Sequence, residues 1–251
     1  MALVEEVATQ EAQDLAFTNG ALIVIRTDLI PAVVVPPVTP PTPTGTTRLL
    51  LHCDEATFTD SSAYARAITK VSNPTLSTNG KFGSCADFSG GYLTIPDADS
   101  LRFGDSDWTI EFFHKVKTVD GSHDFFCSKG ANGNLNNAWY FCLLNGSNLA
   151  FVAKNNSVVI YTPYTYASDV TNFHHISLNR IGTELKVYVD GLLFSSATYV
   201  APYEGTGALY VGGWNYTTAS VGSSYIDDFV INIGSALRTA NFTSPTAPFG
   251  A

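Results

Sequence analysis

The amino-acid sequence predicts an all-β protein, and three observations support this prediction. Asx-Gly pairs that favour tight hairpin turns, Asn145-Gly146 and Asp190-Gly191, separate segments in which apolar and polar residues alternate. Only 14% of the 251 residues are charged, and Thr, Ser, Asn and Gly are abundant, which is typical of short strands joined by polar turns. Hydrophobic residues make up 45% of the chain, enough for one large core. We therefore expect antiparallel strands and little helix.

The first 47 residues differ in composition from the rest. Residues 1–30 carry apolar residues at near-helical spacing between Leu3 and Phe17, followed by a short apolar strand at Ala21–Ile25. A segment this small cannot bury its apolar residues alone, so we predict a docking and oligomerisation arm. Residues 31–47 contain six of the twelve prolines and are predicted to form an extended linker. Residues 48–251 are predicted to form one domain.

Within residues 48–251, the hairpin turns place the strands. Asn145-Gly146 separates strands predicted at 139–144 and 149–153, and Asn155-Asn156 precedes another at 158–162. Alternation between Asn172 and Arg180 predicts a further strand, and Asp190-Gly191 closes the next one. On the first of these two strands, His174 and His175 are expected to point to opposite faces and therefore cannot bind the same metal ion.

Seven short motifs occur in a characteristic order between about Arg48 and Phe249. They are Lys81-Phe82-Gly83-Ser84, Tyr92-Leu93-Thr94-Ile95-Pro96, Trp108-Thr109-Ile110-Glu111-Phe112, Ser128-Lys129-Gly130, Phe173-His174-His175, Val187-Tyr188-Val189-Asp190-Gly191 and Tyr225-Ile226-Asp227-Asp228-Phe229. In this order the region resembles laminin-G-like, concanavalin A-like jelly rolls. The resemblance implies a two-sheet antiparallel sandwich. It does not identify a ligand, because lectins, glycosidases, adhesion modules and structural domains share this fold.

Two loops have the composition of a sugar site, in which aromatic rings stack on the sugar and amides bind its hydroxyls. One loop contributes Asn134, Asn136 and Trp139, and the other contributes Trp214, Asn215 and Tyr216. A third aromatic cluster contains Tyr161, Tyr164 and Tyr166. The alternative is that Trp139 and Trp214 cap the core of the sandwich.

Calcium is the metal that the resemblance suggests, since sandwiches of this kind often hold a structural Ca²⁺ through carboxylates. Asp54 and Asp228, near Asp60 and Asp227, are the candidate ligands. The alternative is that these acidic residues are solvated or cap backbone groups, and we favour this interpretation.

The four cysteines, Cys53, Cys85, Cys127 and Cys142, lack zinc-site spacing and are predicted to be buried free thiols. A Cys53–Cys85 disulfide is the alternative if their strands are neighbours.

Several functional classes are disfavoured. The net charge of −9 and the scattered Lys and Arg residues disfavour nucleic-acid binding. Glycoside hydrolysis requires two carboxylates about 5 to 9 Å apart in one groove. No such pair is evident, because Glu111 has Thr109 and Phe113 as same-face neighbours and Asp227-Asp228 is expected to point to opposite faces. We therefore expect a protein that is not an enzyme.

The organisation of the whole chain suggests a context. The N-terminus lacks the features of a secretion signal, and the apolar stretch near Ile25 is too short to span a membrane. An arm, a Pro-rich linker and a lectin-like head together look like a bacteriophage virion accessory protein, either a capsid decoration protein or a tail appendage. We expect synthesis in the host cytoplasm, assembly into the virion through residues 1–30, homo-oligomers, and weak binding of a host or environmental glycan. The alternatives are a capsid cement without a sugar ligand and a glycan-degrading enzyme.

Overall fold

A computed structural model of the chain describes residues 17–18, 21–22, 46–130, 138–153, 157–199, 206–214 and 223–250. The chain divides into two units, residues 1–36 and 37–251. In the first unit, strands β1 (Phe17–Thr18) and β2 (Ala21–Leu22) pair antiparallel. Strand β2 lies within the strand predicted at Ala21–Ile25, whereas the residues of near-helical spacing before Phe17 lie outside the described residues. The predicted division at residues 30 and 47 stays a prediction.

The second unit contains fifteen described strands, which confirms the all-β prediction. They are β3 (Thr47–Leu51), β4 (Thr69–Ser72), β5 (Thr75–Ser77), β6 (Cys85–Asp87), β7 (Gly91–Ile95), β8 (Trp108–Val116), β9 (Asp124–Gly130), β10 (Ala138–Leu144), β11 (Asn148–Ala153), β12 (Ser157–Pro163), β13 (His174–Ile181), β14 (Glu184–Val189), β15 (Leu192–Thr198), β16 (Leu209–Val211) and β17 (Ser224–Ile233). The helix found in the described residues is a single 3-10 turn at Asp99–Leu101, and no helix there is long and apolar enough to cross a membrane.

The strands form two antiparallel sheets packed face to face, as the resemblance implied. The seven-stranded sheet has the order β12-β11-β10-β9-β16-β7-β4. The eight-stranded sheet has the order β15-β14-β13-β8-β17-β6-β5, with β3 also paired to β17. Strand β17 therefore lies near the middle of its sheet, with β8 on one side and both β6 and β3 on the other.

The core lies between the two sheets and is rich in aromatic rings. Phe112 of the eight-stranded sheet packs against Phe126 and Phe141 of the seven-stranded sheet, with ring centroids 5.0 and 6.0 Å apart. Cys53, Cys85 and Cys127 are buried, and all four cysteines are free thiols, as predicted. Because burial removes solvation from the thiolate, the pKa of the Cys85 thiol rises to about 12.

The hairpin turns follow the sequence signals closely. Asn145 and Gly146, at φ values of 52° and 62°, join β10 to β11, and Asp190 and Gly191, at 49° and 82°, join β14 to β15. These left-handed conformations are the ones that Asx and Gly residues tolerate best. The third predicted turn, Asn155-Asn156, lies outside the described residues.

Residues 234–250 pass over the outer face of the eight-stranded sheet. Phe242 packs against His175 and Tyr188, with ring centroids 5.5 and 5.7 Å apart. Phe249 packs against Phe113 of β8 and is buried. This C-terminal segment therefore closes the outer face of that sheet.

Candidate functional site

The outer face of the seven-stranded sheet differs from the usual solvated face of a sandwich, which carries many charged residues. Side chains that alternate with the core residues point outward on its strands, and none of those in the described strands is charged. The outward positions are Thr69, Val71, Tyr92, Thr94, Phe125, Ser128, Tyr140, Cys142, Leu144, Asn148, Ala150, Val152, Val158, Tyr161, Pro163 and Tyr210. We call this surface the aromatic face because it holds five of the chain's Tyr and Phe rings.

Trp214 lies against the aromatic face and completes a ring cluster. Its indole is 5.1 Å from the Phe125 ring and 4.8 Å from the Tyr140 ring, measured between centroids. Phe125 and Tyr140 are 5.5 Å apart at an edge-to-face angle of 73°. Phe125 is buried beneath the other two rings, whereas Tyr140 and Trp214 are half-buried. Tyr92 and Tyr210 form a second pair, 5.8 Å apart, on the neighbouring strands β7 and β16.

Two glycines explain how the chain brings Trp214 to this position. Gly212 follows β16 at a φ of 75°, and a Cβ there would lie 2.1 Å from the Phe88 ring. A Cβ on Gly213 would lie 2.7 Å from Cβ of Tyr92. Ser128 donates a hydrogen bond to the Gly213 carbonyl at 3.0 Å. Because only glycine fits this close passage, the Gly-Gly-Trp sequence positions the indole.

The predicted sugar-site residues have different locations. Trp139 is 2% exposed and lies in the core, stacked on Phe103 with centroids 4.9 Å apart. Its ring faces are therefore closed to a sugar. Trp139 fits the alternative in which it caps the core of the sandwich. Trp214 combines packing with partial exposure. Asn134, Asn136, Asn215 and Tyr216 lie outside the described residues, so their role stays a prediction.

The third predicted aromatic cluster separates into different environments. Tyr161 is 54% exposed on the aromatic face, next to Ala150 in the strand register. Tyr164 is buried in the core, and Tyr166 stacks on His174 at 3.8 Å. Tyr92, Tyr140 and Tyr210 were not among the predicted site residues. Their alternation with core residues on β7, β10 and β16 was the signal that could have identified them.

Of the predicted calcium ligands, Asp228 lies within the central strand β17 and Asp54 follows β3. Asp228 is buried, its Oδ1 lies 2.6 Å from His52 Nδ1, and its Oδ2 accepts a hydrogen bond from the Phe249 N–H. Asp54 is exposed and accepts a hydrogen bond from the Ser84 N–H at 3.2 Å. Asp54 and His52 line two adjacent pockets of about 300 and 220 Å³. Both carboxylates thus serve as hydrogen-bond acceptors within the fold.

Metal-site geometry is not found among the described side chains, in which no group of three or more His, Cys, Asp or Glu residues is arranged to hold an ion. The calcium site therefore stays a prediction. A hydrogen bond with Asp228 raises the pKa of His52, because it favours the charged imidazolium. This pairing is an alternative to metal binding for neutralising the buried Asp228 carboxylate.

Asp227 and Asp228 do not point to opposite faces as expected. Asp228 has a φ of 54°, and the register with β8 shifts between Asp227 and Val230, so the strand contains a bulge. Asp227 accepts hydrogen bonds from the backbone N–H groups of Lys81 and Phe82 at 2.7 and 3.0 Å. Burial, together with the neighbouring Asp228, raises the pKa of Asp227 to about 7. The bulge turns the Asp228 carboxylate toward the C-terminal segment, where it accepts the hydrogen bond from the Phe249 N–H.

A buried charge network connects the eight-stranded sheet to the C-terminal segment. Glu111 Oε1 is 2.9 Å from His175 Nε2 and accepts a hydrogen bond from Arg238 Nη2 at 2.7 Å. Arg238 Nε donates to Glu111 Oε2 at 3.1 Å. Burial alone would raise the pKa of Glu111, but His175 and Arg238 lower it to about 2.

His174 and His175 do point to opposite faces, as predicted from strand alternation. His174 lies between two carboxylates, with Asp190 Oδ2 at 2.7 Å and Asp169 Oδ2 at 3.1 Å. His175 faces Glu111 on the other side of the sheet. Both imidazoles therefore have carboxylate partners.

Comparisons with known proteins agree with this architecture. Residues 87–234 match the laminin-G-like family model described as the concanavalin A-like lectin/glucanases superfamily. Because the match covers more than half of the chain, the protein belongs to this superfamily. A comparison with curated protein sequences finds no significant match.

Solved structures with a similar fold include binding domains of bacterial toxins. The binding domain of paraclostridial mosquitocidal protein 1 has a TM-score of 0.62 and 15% identity, covering 76% of this chain and 49% of that chain. The binding domain of botulinum neurotoxin DC, solved with rat synaptotagmin II, has a TM-score of 0.60 and 14% identity over 76% and 49% of the two chains. A structure of botulinum neurotoxin type C, whose cell entry depends on two ganglioside molecules, has a TM-score of 0.58 and 14% identity over 76% and 48%. The chain spans about half the length of these structures, and the likeness establishes the fold alone.

Proposed function

We propose that the sandwich is a non-enzymatic binding module that binds a glycan through the aromatic face around Trp214. The observation that carries this proposal is the half-buried Tyr140 and Trp214 rings and the exposed Tyr161 ring on the uncharged outer side of the seven-stranded sheet. Phe125, Cys142, Ala150 and Val152 lie buried on the same side. Aromatic rings stack on the C–H surfaces of pyranoses, and neighbouring hydroxyl and amide groups bind sugar hydroxyls. Thr94 and Asn148 provide such groups in the same strands.

The superfamily and the toxin domains support recognition as the role of this fold. Lectins belong to the superfamily, and the neurotoxin domains of similar fold bind a ganglioside or synaptotagmin II. Because the sequence identity is low, the binding residues of those domains do not identify the site in this chain. In our proposal the aromatic face supplies the binding residues. An uncharged surface on a chain of net charge −9 favours a neutral glycan over an anionic one, since the remaining surface repels anions.

The Glu111 carboxylate supports a structural role rather than catalysis of hydrolysis. A general acid in a glycosidase needs a raised pKa and access to its substrate. Glu111 is fully buried, is paired with His175 and Arg238, and has a lowered pKa. It therefore serves as a structural anion.

In our proposal the module is displayed on a bacteriophage particle, as a capsid decoration protein or a tail appendage. Residues 1–30 would attach it to other virion proteins and to sister subunits, and residues 31–47 would act as the spacer. The composition of these segments supports the assignment, because apolar residues without a core of their own precede a proline-rich stretch. Several copies on one particle would convert weak glycan binding into useful avidity.

Replacing Tyr161 and Trp214 individually by Ala tests the aromatic face. Each change is expected to weaken binding to a glycan array, or to a purified bacterial polysaccharide, by roughly tenfold or more, because aromatic anchors dominate such contacts. Tyr161→Ala should leave the melting temperature nearly unchanged, since its side chain is 54% exposed. Val119→Ala, at an exposed position between β8 and β9 and outside the strands of the aromatic face, is the matched control. A wild-type protein that binds no glycan, even when multivalent, would favour the structural cement instead.

Deleting residues 1–45 tests the virion proposal. The described strands of the sandwich begin at Thr47 and enclose their own core, so the remaining domain should stay folded and rich in β-structure. It should no longer co-sediment with particles that bind the full chain. Full retention of the truncated protein would instead assign attachment to the sandwich.

A further inference from the structure

The outermost strand of the eight-stranded sheet, β15, is an open edge. Among the described strands only β14 pairs with it. Its sequence, Leu-Leu-Phe-Ser-Ser-Ala-Thr, contains no charged residue and no proline over seven residues. Natural sheets normally protect edges with charges, prolines, bulges or very short strands, because an open edge can pair with another chain. The bulge where β15 meets Val187 and Tyr188 of β14 leaves the later residues regular.

The other three strands at the ends of the two sheet orders carry some of the usual protections. Strand β5 has only three residues and follows Pro74. Strand β4 has four residues, and Lys70 is one of them. Strand β12 is also uncharged, but it ends in Pro163. By length, charge and proline content, β15 is therefore the least protected of these four strands.

Exposure and hydrogen bonding define the open part of β15. Leu192 and Leu193 are 63% and 48% exposed, which is unusual for leucines on a strand. The side chain of Asn241 accepts a hydrogen bond from the Leu193 N–H at 2.8 Å, so the C-terminal segment covers the start of the strand. Residues Phe194–Thr198 follow without such a cover among the described residues.

We infer that Phe194–Thr198 of β15 pairs antiparallel with the same segment of a second copy of this chain. Two identical strands related by a twofold axis are self-complementary, and the contact closes into a dimer rather than a filament. The absence of charge favours pairing at this edge, since two chains of net charge −9 repel least where neither presents an ion. On the adjacent strand, Glu184 and Lys186 neutralise each other, with Nζ 3.1 Å from Oε2.

Single cysteines introduced along the edge of the full-length chain test this inference. In an antiparallel pair, directly opposed Cα atoms are about 4.5–5.5 Å apart, within the range that a disulfide bridges. Position 196 is the centre of the open segment, so mild oxidation of Ser196→Cys should give a covalent dimer in high yield. Phe194→Cys and Thr198→Cys should give a much lower yield of covalent dimer. Each of these residues lies two positions from the twofold axis and is therefore far from the same residue in the second copy. The four native cysteines are buried, which limits competing reactions.

Thr118→Cys, at an exposed position outside the edge, is the control. A yield that peaks within 194–198 and exceeds the control supports the dimer even if residues 1–30 also hold copies together. Equal yields at all positions, or no dimer above the control, would overturn it. Ser196→Lys should also raise the concentration for half-association through this edge by roughly tenfold or more, since it places two like charges opposite each other. An unchanged sedimentation profile of Ser196→Lys, beside a flat cross-linking pattern, would independently contradict the inference.

Discussion

Replacing Glu111 by Gln is expected to lower the free energy of unfolding by about 3–5 kcal/mol, because it leaves a buried cation without its counter-ion. The Glu111 carboxylate is fully buried and binds both His175 and Arg238. Glutamine retains the shape and one carbonyl oxygen but not the charge. Arg238 would also lose its anchor on the outer face of the sheet. Urea unfolding of the wild type and the variant at pH 7 measures the effect.

The same variant should change how stability depends on pH. The pKa of Glu111 is lowered to about 2 in the folded protein, whereas an unfolded glutamate has a pKa of about 4.3. A lowered folded-state pKa means that the unfolded chain binds the proton more tightly, so the stabilisation is complete above the unfolded value. It is lost as the pH falls from about 4.3 toward 2. The stability difference between wild type and variant should therefore shrink across that interval.

Glu184→Gln provides the matched control, because Glu184 is an exposed glutamate paired with Lys186 on the same strand. We expect it to change stability by less than about 1 kcal/mol, as for other exposed ion pairs. Equal effects of the two substitutions would show that the buried network contributes no more than a surface pair.

Replacing Trp139 by Ala is expected to cost about 3–5 kcal/mol and to lower the melting temperature by roughly 6–20 °C. The indole is 2% exposed and stacks on Phe103, with Phe151 6.1 Å away. Removing it leaves a cavity that neighbouring aromatic rings cannot fill by a small movement. Differential scanning calorimetry measures the shift.

Glycan binding by the folded fraction of Trp139→Ala should remain at the wild-type level, which distinguishes this indole from Trp214. Trp139→Phe keeps most of the volume and should recover much of the stability. A variant that melts like the wild type but binds less glycan would place Trp139 on the binding surface, as the sequence first suggested.

The sequence predicted the strands well because local signals determine them. Asn145-Gly146 and Asp190-Gly191 mark hairpin turns, and alternation around His174 gives the faces of β13. The same alternation could not tell which face of a strand meets the core at Trp139. Both faces of β10 are rich in apolar residues, since Phe141 points inward and Tyr140 outward. Only the packing of the two sheets against each other shows that Trp139 faces the core.

Two features of the site depend on long-range pairing that the sequence does not encode locally. Glu111 and His175 meet because β8 pairs with β13, and Arg238 reaches them from the C-terminal segment. The bulge at Asp228 has no glycine to mark its positive φ, so simple alternation assigned the wrong face to its carboxylate. The aromatic face likewise combines residues from strands that are far apart in the chain.

The position of β17 has a consequence for how the protein folds. Its residues Phe229–Asn232 pair with β3, the first strand of the sandwich, across roughly 180 residues of sequence. The eight-stranded sheet therefore cannot be completed until the ribosome has released residue 233. Until then, β8 and β3 lack β17, the strand that lies between them. Contacts of such high order slow folding and expose strand edges to aggregation. During synthesis, this protein should depend on chaperones or on slow, largely post-translational folding, and chains interrupted before Ser224 should yield insoluble products rather than smaller folded domains.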